Sequence, residues 1–271
     1  MTWRALILGL AALACAGSAA AQNTGLRRLT DRDDLFGWEA VGRLELNGQG
    51  YCTGTLIAPE LVLTAAHCVY SNDGGLRPAE QIRFRAGLRD GIAVADRQAL
   101  QIAAHPGYDP RRRLNMENIR HDVALVRLAE PILSGQADAF ALHSGEEYGG
   151  AISVTSYGKG RDDALSRQRQ CSLMSEYRDV LMIDCNVTFG SSGAPVFSQV
   201  GGRGRILSLV SGGGSYGGKQ VAFGMKLPQR VAELKAQLRR NSVAAPDRRI
   251  KRIRAGGGGS AGGAKFVRAG E

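Results

Sequence analysis

An all-β fold, sandwich or barrel, assembled from two similar-sized halves, is what this sequence predicts. Three observations carry that expectation. About six short apolar runs occur in each half, and the chain's 37 glycines, with Asn and Pro, punctuate them as turns. Helical periodicity is convincing only once, near the end. A stretch from Ala129 to Tyr148, holding Pro131, Ser134-Gly135 and Ser144-Gly145, separates the halves and leaves a natural cleft between them.

The first residues read as an export signal. Arg4 supplies the positive start, Ala5 to Gly17 the apolar core, and Ser18-Ala19-Ala20-Ala21 the small-residue cleavage region, so residues 1–21 are expected to be removed after Ala21. That apolar run is too short for a comfortable membrane span, and no later segment could cross a bilayer. Residues 22–37 are polar, lack periodicity, and read as an extended or flexible lead. Strands are expected at Ala40–Leu46, Tyr51–Ile57 and Leu61–Thr64, the first two joined through Asn47-Gly48, a hairpin signal. Further strands are placed at Gln81–Arg85, Gly91–Ala103 and Asp122–Leu128. Beyond the connector they resume at Ala151–Tyr157, Arg167–Ser175, Val180–Asn186, Pro195–Gln199, Ile206–Val210 and Val221–Lys226. Leu227-Pro228 opens the helix, with proline suited to a first turn, and Val231, Leu234 and Leu238 recur at helical spacing to about Arg240.

Residues 241–271 are basic and glycine-rich. Eight basic residues from Arg240 onward face only Asp247 and Glu271, so this end holds most of the chain's net charge of +10. The tail is read as a solvated, disordered extension. The competing reading is contact with an anionic surface such as membrane, polysaccharide or nucleic acid.

Five cysteines are present, and Cys15 leaves with the signal. The remaining four, in an exported chain, favour two disulfides. Cys171 and Cys185 flank two strands around a turn centred at Arg178, which faces them across a hairpin, so Cys52 and Cys68 pair with each other. A zinc site would need paired C-x-x-C spacing, which is missing.

Gly190-Ser191-Ser192-Gly193-Ala194-Pro195 places serines between glycines, where a sharp turn can present a hydroxyl and aim N–H groups at one spot. Alone, such a turn is unremarkable. A serine hydroxyl attacks only when a base takes its proton, and the base needs an acceptor on its other nitrogen to fix the tautomer. His67, in Thr64-Ala65-Ala66-His67-Cys68, sits beside a half-cystine at a strand end. Asp122 begins Asp122-Val123-Ala124-Leu125. Singly, each reads as a structural histidine and a solvated cap; together with Ser192 they read as a nucleophile, base and orienting carboxylate.

These three motifs, in the order His, Asp, Ser, resemble those of trypsin-like (chymotrypsin-fold) serine proteases, over roughly Trp38 to Arg240. The serine motif is closest to the bacterial glutamyl-endopeptidase-like (V8-like) group. The resemblance implies two six-stranded antiparallel β-barrels, about 38–130 and 148–227, with the active site between them and a C-terminal helix at about 228–240. It also implies Ser192 as nucleophile, His67 as general base and then acid, Asp122 as its orienter, and the N–H groups of Gly190 and Ser192 as an oxyanion hole. Substrate would contact Asn186, Val187, Thr188, Ser211, Gly212, Gly213 and Gly224, with Ser211–Gly213 pairing as a strand edge.

Three departures stand out. Activated trypsins have an aspartate before the nucleophile, which receives a freed N-terminal amine; here Ser191 occupies that position, and no Ile/Val-Val-Gly-Gly follows the signal. Asn186 stands where trypsins hold an aspartate, and Val210 where glutamyl endopeptidases hold a histidine.

No metal or cofactor is expected. His105, His121 and His143 form no metal-binding pair, and the Gly212–Gly218 run lacks the Lys-Ser/Thr of a phosphate loop. The expected protein is a secreted serine endopeptidase, extracellular or periplasmic, acting on protein or peptide. Its alternatives are a catalytically silent binding protein using the cleft or tail, and an esterase.

Overall fold

A computed structural model describes residues 25–144, 151–198 and 203–243. The signal region and all but the first three residues of the basic tail lie outside the described residues.

The first half closes as a six-stranded antiparallel barrel. Its strands are β2 (Val41–Glu45), β3 (Tyr51–Ala58), β4 (Leu61–Thr64), β5 (Arg83–Ala86), β6 (Ala95–Ala104) and β7 (Ala124–Leu128), in the order β2-β3-β4-β7-β6-β5. Alternation turns Leu44, Leu56, Leu63, Phe84 and Leu125 inward, where all five are essentially inaccessible. At the β2–β3 turn Asn47 and Gly48 both take positive φ, 49° and 76°, as a hairpin with matching twist requires.

The second half holds β8 (Ile152–Gly158), β9 (Arg161–Cys171), β10 (Leu173–Tyr177), β11 (Val180–Ile183), β12 (Pro195–Ser198), β13 (Arg205–Leu209), β14 (Gly212–Tyr216) and β15 (Lys219–Met225). Instead of one continuous ring, they form two sheets, β9-β8-β12-β13 and β10-β11-β15-β14, around a shared core that includes Val154, Leu181, Val196 and Leu207. The expected six strands are nonetheless traceable, because β9 runs into β10 and β13 into β14. Each of these long strands bends, at Ser172 and at Val210-Ser211. At the first bend Ser172 N–H goes to the Asp184 carboxylate, and at the second the strand changes partner, Val210 N donating to Ala194 O and Ser211 N to Phe223 O at 2.9 and 2.8 Å. The single strand expected over Arg167–Ser175 is therefore two. At the β10–β11 turn Arg178 and Asp179 have φ 47° and 65°, and Cys171 pairs with Cys185 beyond the hairpin's far end.

Residues 25–37 are not a free lead. Here β1 (Arg27–Arg28) pairs with Arg167 and Ser166 of β9 and becomes that sheet's fifth strand, while α1 (Arg32–Leu35) turns the chain toward the first barrel. Leu29 and Leu35 are buried, which anchors the segment.

The described part of the connector, residues 129–144, is packed too. Phe140 lies against Trp38 and against Phe197 of β12, with ring centroids 5.7 and 4.6 Å apart, tying both halves together. Helix α3 (Pro228–Val243) runs three residues further than its periodicity suggested. It buries Val231, Leu234 and Leu238 against β6 and β7, so the end of the chain clamps the first barrel. Among the described residues, no helix is long and apolar enough to cross a membrane.

Candidate active site

His67 lies in a 3₁₀ turn, Ala66–Val69, directly after β4, and the Cys52–Cys68 disulfide ties that turn to β3. Asp122 does not open a strand. It caps α2 (Met116–His121), a helix whose start is held by Asn115 Oδ1 accepting from Asn118 N at 3.0 Å. This end of the helix presents a carboxylate that is 2% exposed.

That carboxylate faces His67 with both oxygens. Nδ1 of His67 lies 2.8 Å from Asp122 Oδ2, and the His67 backbone N–H donates to Oδ1 at 2.8 Å. Ser211 Oγ donates to Oδ2 at 2.6 Å. With Nδ1–H donating, Nε2 is left as a free acceptor. Burial opposes charging His67, but the charge and hydrogen bond of Asp122 outweigh it and hold the imidazole above its usual 6.5.

Ser192 is delivered by the turn between Thr188 and β12. Its carbonyl accepts from Thr53 N at 2.8 Å, and Thr53 Oγ1 donates to Gly190 O at 2.8 Å, so β3 of the first barrel grips the turn from the far side of the cleft. Gly193, at φ +76°, presses so closely on Thr64 and Ala65 that a Cβ would meet Thr64 Oγ1 at 2.3 Å. Ser192 is thereby set beside the segment that leads into His67. Gly190, at φ +91°, lies against Tyr51, where a Cβ would come within 2.2 Å of the ring. Both positions exclude a side chain twice over, by conformation and by space.

Within this turn the N–H groups of Ser191, Gly193 and Ala194 donate to Thr188 O, Val210 O and Ser191 O. Those of Gly190 and Ser192 have no acceptor among the described residues, and neither does the Ser192 hydroxyl. The missing bond from Ser192 Oγ to His67 Nε2 is of a kind that commonly tightens only when substrate fills the site.

Beside Ser192 opens a pocket of about 450 Å³. Val187, Thr188, Ser211, Gly212 and Gly213 line it, whereas Asn186 and Gly224 do not. Asn186 N is turned to Gln168 Oε1 at 2.7 Å, and Gly224 is pressed against Leu209 O and Ser208 Oγ at the bend of β13. Leu114, Phe189, Val210 and Gln220 complete the wall. The sequence motifs give no substrate role to Leu114, Phe189 or Gln220. The sequence carries one signal, a large aromatic directly before Gly190-Ser191-Ser192, and the structure leaves that Phe189 82% exposed beside the turn. β14, which carries Gly212 and Gly213, is the edge of its sheet and so presents a free ladder to the cleft.

The four cysteines Cys52, Cys68, Cys171 and Cys185 are consumed as two disulfides. His67 beside Cys52 and Cys68 is therefore not a thiolate metal cluster. His105 stacks on His121 at 4.7 Å and reaches Glu233 of α3 at 3.1 Å, which makes it part of the helix's seating.

Two β-halves meeting over this cleft define the chymotrypsin fold. The solved structure of a Glu endopeptidase shares it, with a TM-score of 0.65 at 18% identity, covering 81% of this chain and 99% of that one. The family profile described as Trypsin matches residues 36–232, and the chain belongs to the trypsin family of serine endopeptidases, hydrolases of the peptide bond. Among relatives, it is 27% identical over 217 residues to a collagenase of Hypoderma lineatum, covering 70% of this chain and 78% of that protein. It is 35% identical over 98 residues to human Serine protease 56, covering 36% of this chain but only 15% of that longer protein.

Proposed function

We propose that the protein is an exported endopeptidase in which Ser192 attacks the scissile carbonyl, His67 relays the proton and Asp122 holds the imidazole. The observation that carries this is the double grip of Asp122 on His67, through Nδ1 and the backbone N–H, which leaves Nε2 as the acceptor on the serine's side. Attack forms an acyl-enzyme; His67 first takes the Ser192 proton, then gives it to the leaving amine, and water reverses the sequence. The unpaired N–H groups of Gly190 and Ser192 suit the oxyanion. Export is supported by the signal-like start and the two disulfides. The basic tail would favour anionic surfaces by its charge alone.

A fluorophosphonate probe tests the reading directly. It should label purified mature wild type and leave Ser192→Ala unlabelled. An unlabelled wild type would favour a binding protein, and labelling without cleavage in any peptide library would favour an esterase.

The pH profile should follow His67. The base must be neutral to accept a proton, so kcat/KM should climb from an inactive acid form to a plateau, with its midpoint above 6.5. The same raised value means that the His67–Asp122 pair stabilises the fold fully below about pH 6.5 and fades as pH rises through the folded value. A kinetic midpoint below 6.5 would contradict both statements.

Specificity follows from a pocket whose wall holds no charged side chain. Val187, Val210 and Phe189 are apolar, and Gln220 Nε2 is occupied by Val187 O. Burying an unpaired charge there is costly, so library profiling should favour uncharged residues at the cleaved position over Lys, Arg, Asp and Glu by at least about tenfold. By its serine motif the enzyme sits near the V8-like group, yet it would not share a glutamate preference. Equal or better cleavage after Glu or Arg would refute the assignment.

A further inference from the structure

Ser191 is fully buried, yet its hydroxyl is the junction of four contacts. It donates to Tyr157 O at 3.0 Å, accepts from Thr188 N at 3.3 Å, and lies 3.3 Å from Ser156 Oγ. The fourth partner is Arg161, whose Nη2 donates to Ser191 Oγ at 3.1 Å and to Ser156 Oγ at 3.0 Å, while Nη1 donates to Ser156 O at 2.7 Å. The half-buried guanidinium is wedged into the β8–β9 hairpin. A Cβ on Gly158 would strike Arg161 Cζ at 2.7 Å and Thr188 Cγ2 at 2.8 Å, so glycine there makes room for both.

Among the described residues no carboxylate pairs with Arg161. The neighbouring Asp162 and Asp163 pair instead with Arg43 and Arg28. A cation that gives up water for neutral oxygens, without a counter-ion, is an expensive arrangement for structure alone. All of its hydrogen bonds go to Ser191 or to Ser156 of β8, and the Thr188–Ser191 segment carries the N–H of Gly190.

We propose that Arg161 is a positioning residue that orders the oxyanion turn from within the chain, in place of a freed N-terminal amine, so that activity does not depend on exposing a particular N-terminus. This rests on the protease reading above. The guanidinium and the Ser191 hydroxyl fix Thr188 and the peptides that follow, and the N–H groups of Gly190 and Ser192 then converge before substrate arrives. A preorganised donor pair gains most where charge develops, in the transition state rather than in the bound peptide. Arg161 does not touch the reacting atoms.

The experiment compares full-length secreted wild type with Arg161→Met, Arg161→Lys and Ser191→Ala. It measures kcat, KM, the affinity of a peptide boronic acid, whose adduct mimics the tetrahedral oxyanion, and that of a non-covalent competing peptide. For Arg161→Met the expected result is a loss of about 10²-fold in kcat and in boronic acid affinity, the range for losing one oxyanion donor. KM and competing-peptide affinity should stay within about threefold, and Arg161→Lys should recover part of the loss. Wild-type activity should also hold from pH 8 to 10, where an α-amine with pKa of about 8 would have lost its charge.

A folded Arg161→Met with kcat within twofold of wild type would overturn the proposal. So would equal losses for the boronic acid and the competing peptide, the mark of a merely loosened pocket. If Arg161→Met does not fold, Ser191→Ala decides by the same pair of affinities. Failure of the protease reading looks different, since wild type itself would then neither react with the phosphonate probe nor cleave peptide.

Discussion

Ser192→Ala is expected to lower kcat by about 10⁶-fold while leaving fold and peptide binding intact. The substitution removes one oxygen and nothing else. The hydroxyl has no hydrogen-bond partner among the described residues, so no buried group is orphaned and no cap is lost. The structural work at this position is done by the backbone: Ser192 O accepts from Thr53 N, and the neighbouring Gly193 N donates to Val210 O at 2.7 Å. Both bonds survive in alanine. Thermal unfolding should therefore shift little, the competing peptide should bind as before, and turnover should fall to the residue left by the N–H groups and the cleft. A variant that keeps more than about 1% of wild-type kcat would show that another group is the nucleophile.

Asp122→Asn comes next in size, at about 10⁴-fold in kcat at neutral pH. Asp122 accepts three hydrogen bonds, from His67 Nδ1, His67 N and Ser211 Oγ. An amide of the same shape has one acceptor oxygen and one NH₂. If the NH₂ faces Nδ1, the imidazole must carry its proton on Nε2, where it cannot accept from serine. If the oxygen faces Nδ1, the NH₂ is set against the His67 N–H. The carboxylate charge that steadies the imidazolium is gone in either case. The same variant should lose the raised His67 titration and move the midpoint of kcat/KM toward lower pH. A drop of less than tenfold, or an unchanged midpoint, would remove Asp122 from its assigned role.

The residues of the proposed triad were legible because their chemistry is written locally. Thr64-Ala65-Ala66-His67-Cys68 puts a base next to a covalent anchor, and Gly190-Ser191-Ser192-Gly193 encodes two left-handed positions around a hydroxyl. The hairpins at Asn47-Gly48 and Arg178-Asp179 were equally local, and so were the Cys171–Cys185 pairing and the buried stripe of α3. Alternation located most strands to within a few residues.

Other elements left no local trace. β14 is Gly-Gly-Gly-Ser-Tyr, without apolar side chains to alternate, and it is a strand only because Lys219–Phe223 of β15 lies beside it. Helix α2 is too short for periodicity, yet it decides where the Asp122 carboxylate points. Residues 25–37 look polar and aimless until Arg27 and Arg28 meet β9, some 140 residues further on.

The turn Gly190–Pro195 shows the division most clearly. By itself the sequence singled out Ser192, its glycines, His67 and Asp122, and the oddity of Ser191, because the proposed nucleophile, turn and tautomer each require particular residue types. Only the tertiary structure decided what Ser191 touches. Its hydroxyl is read by Arg161 from another strand, and the cleft's uncharged wall is assembled from Leu114, Val187, Val210 and Gln220, which are far apart in the chain. Contacts of that kind depend on how bent strands bring distant backbones together, and no run of neighbouring residues specifies it.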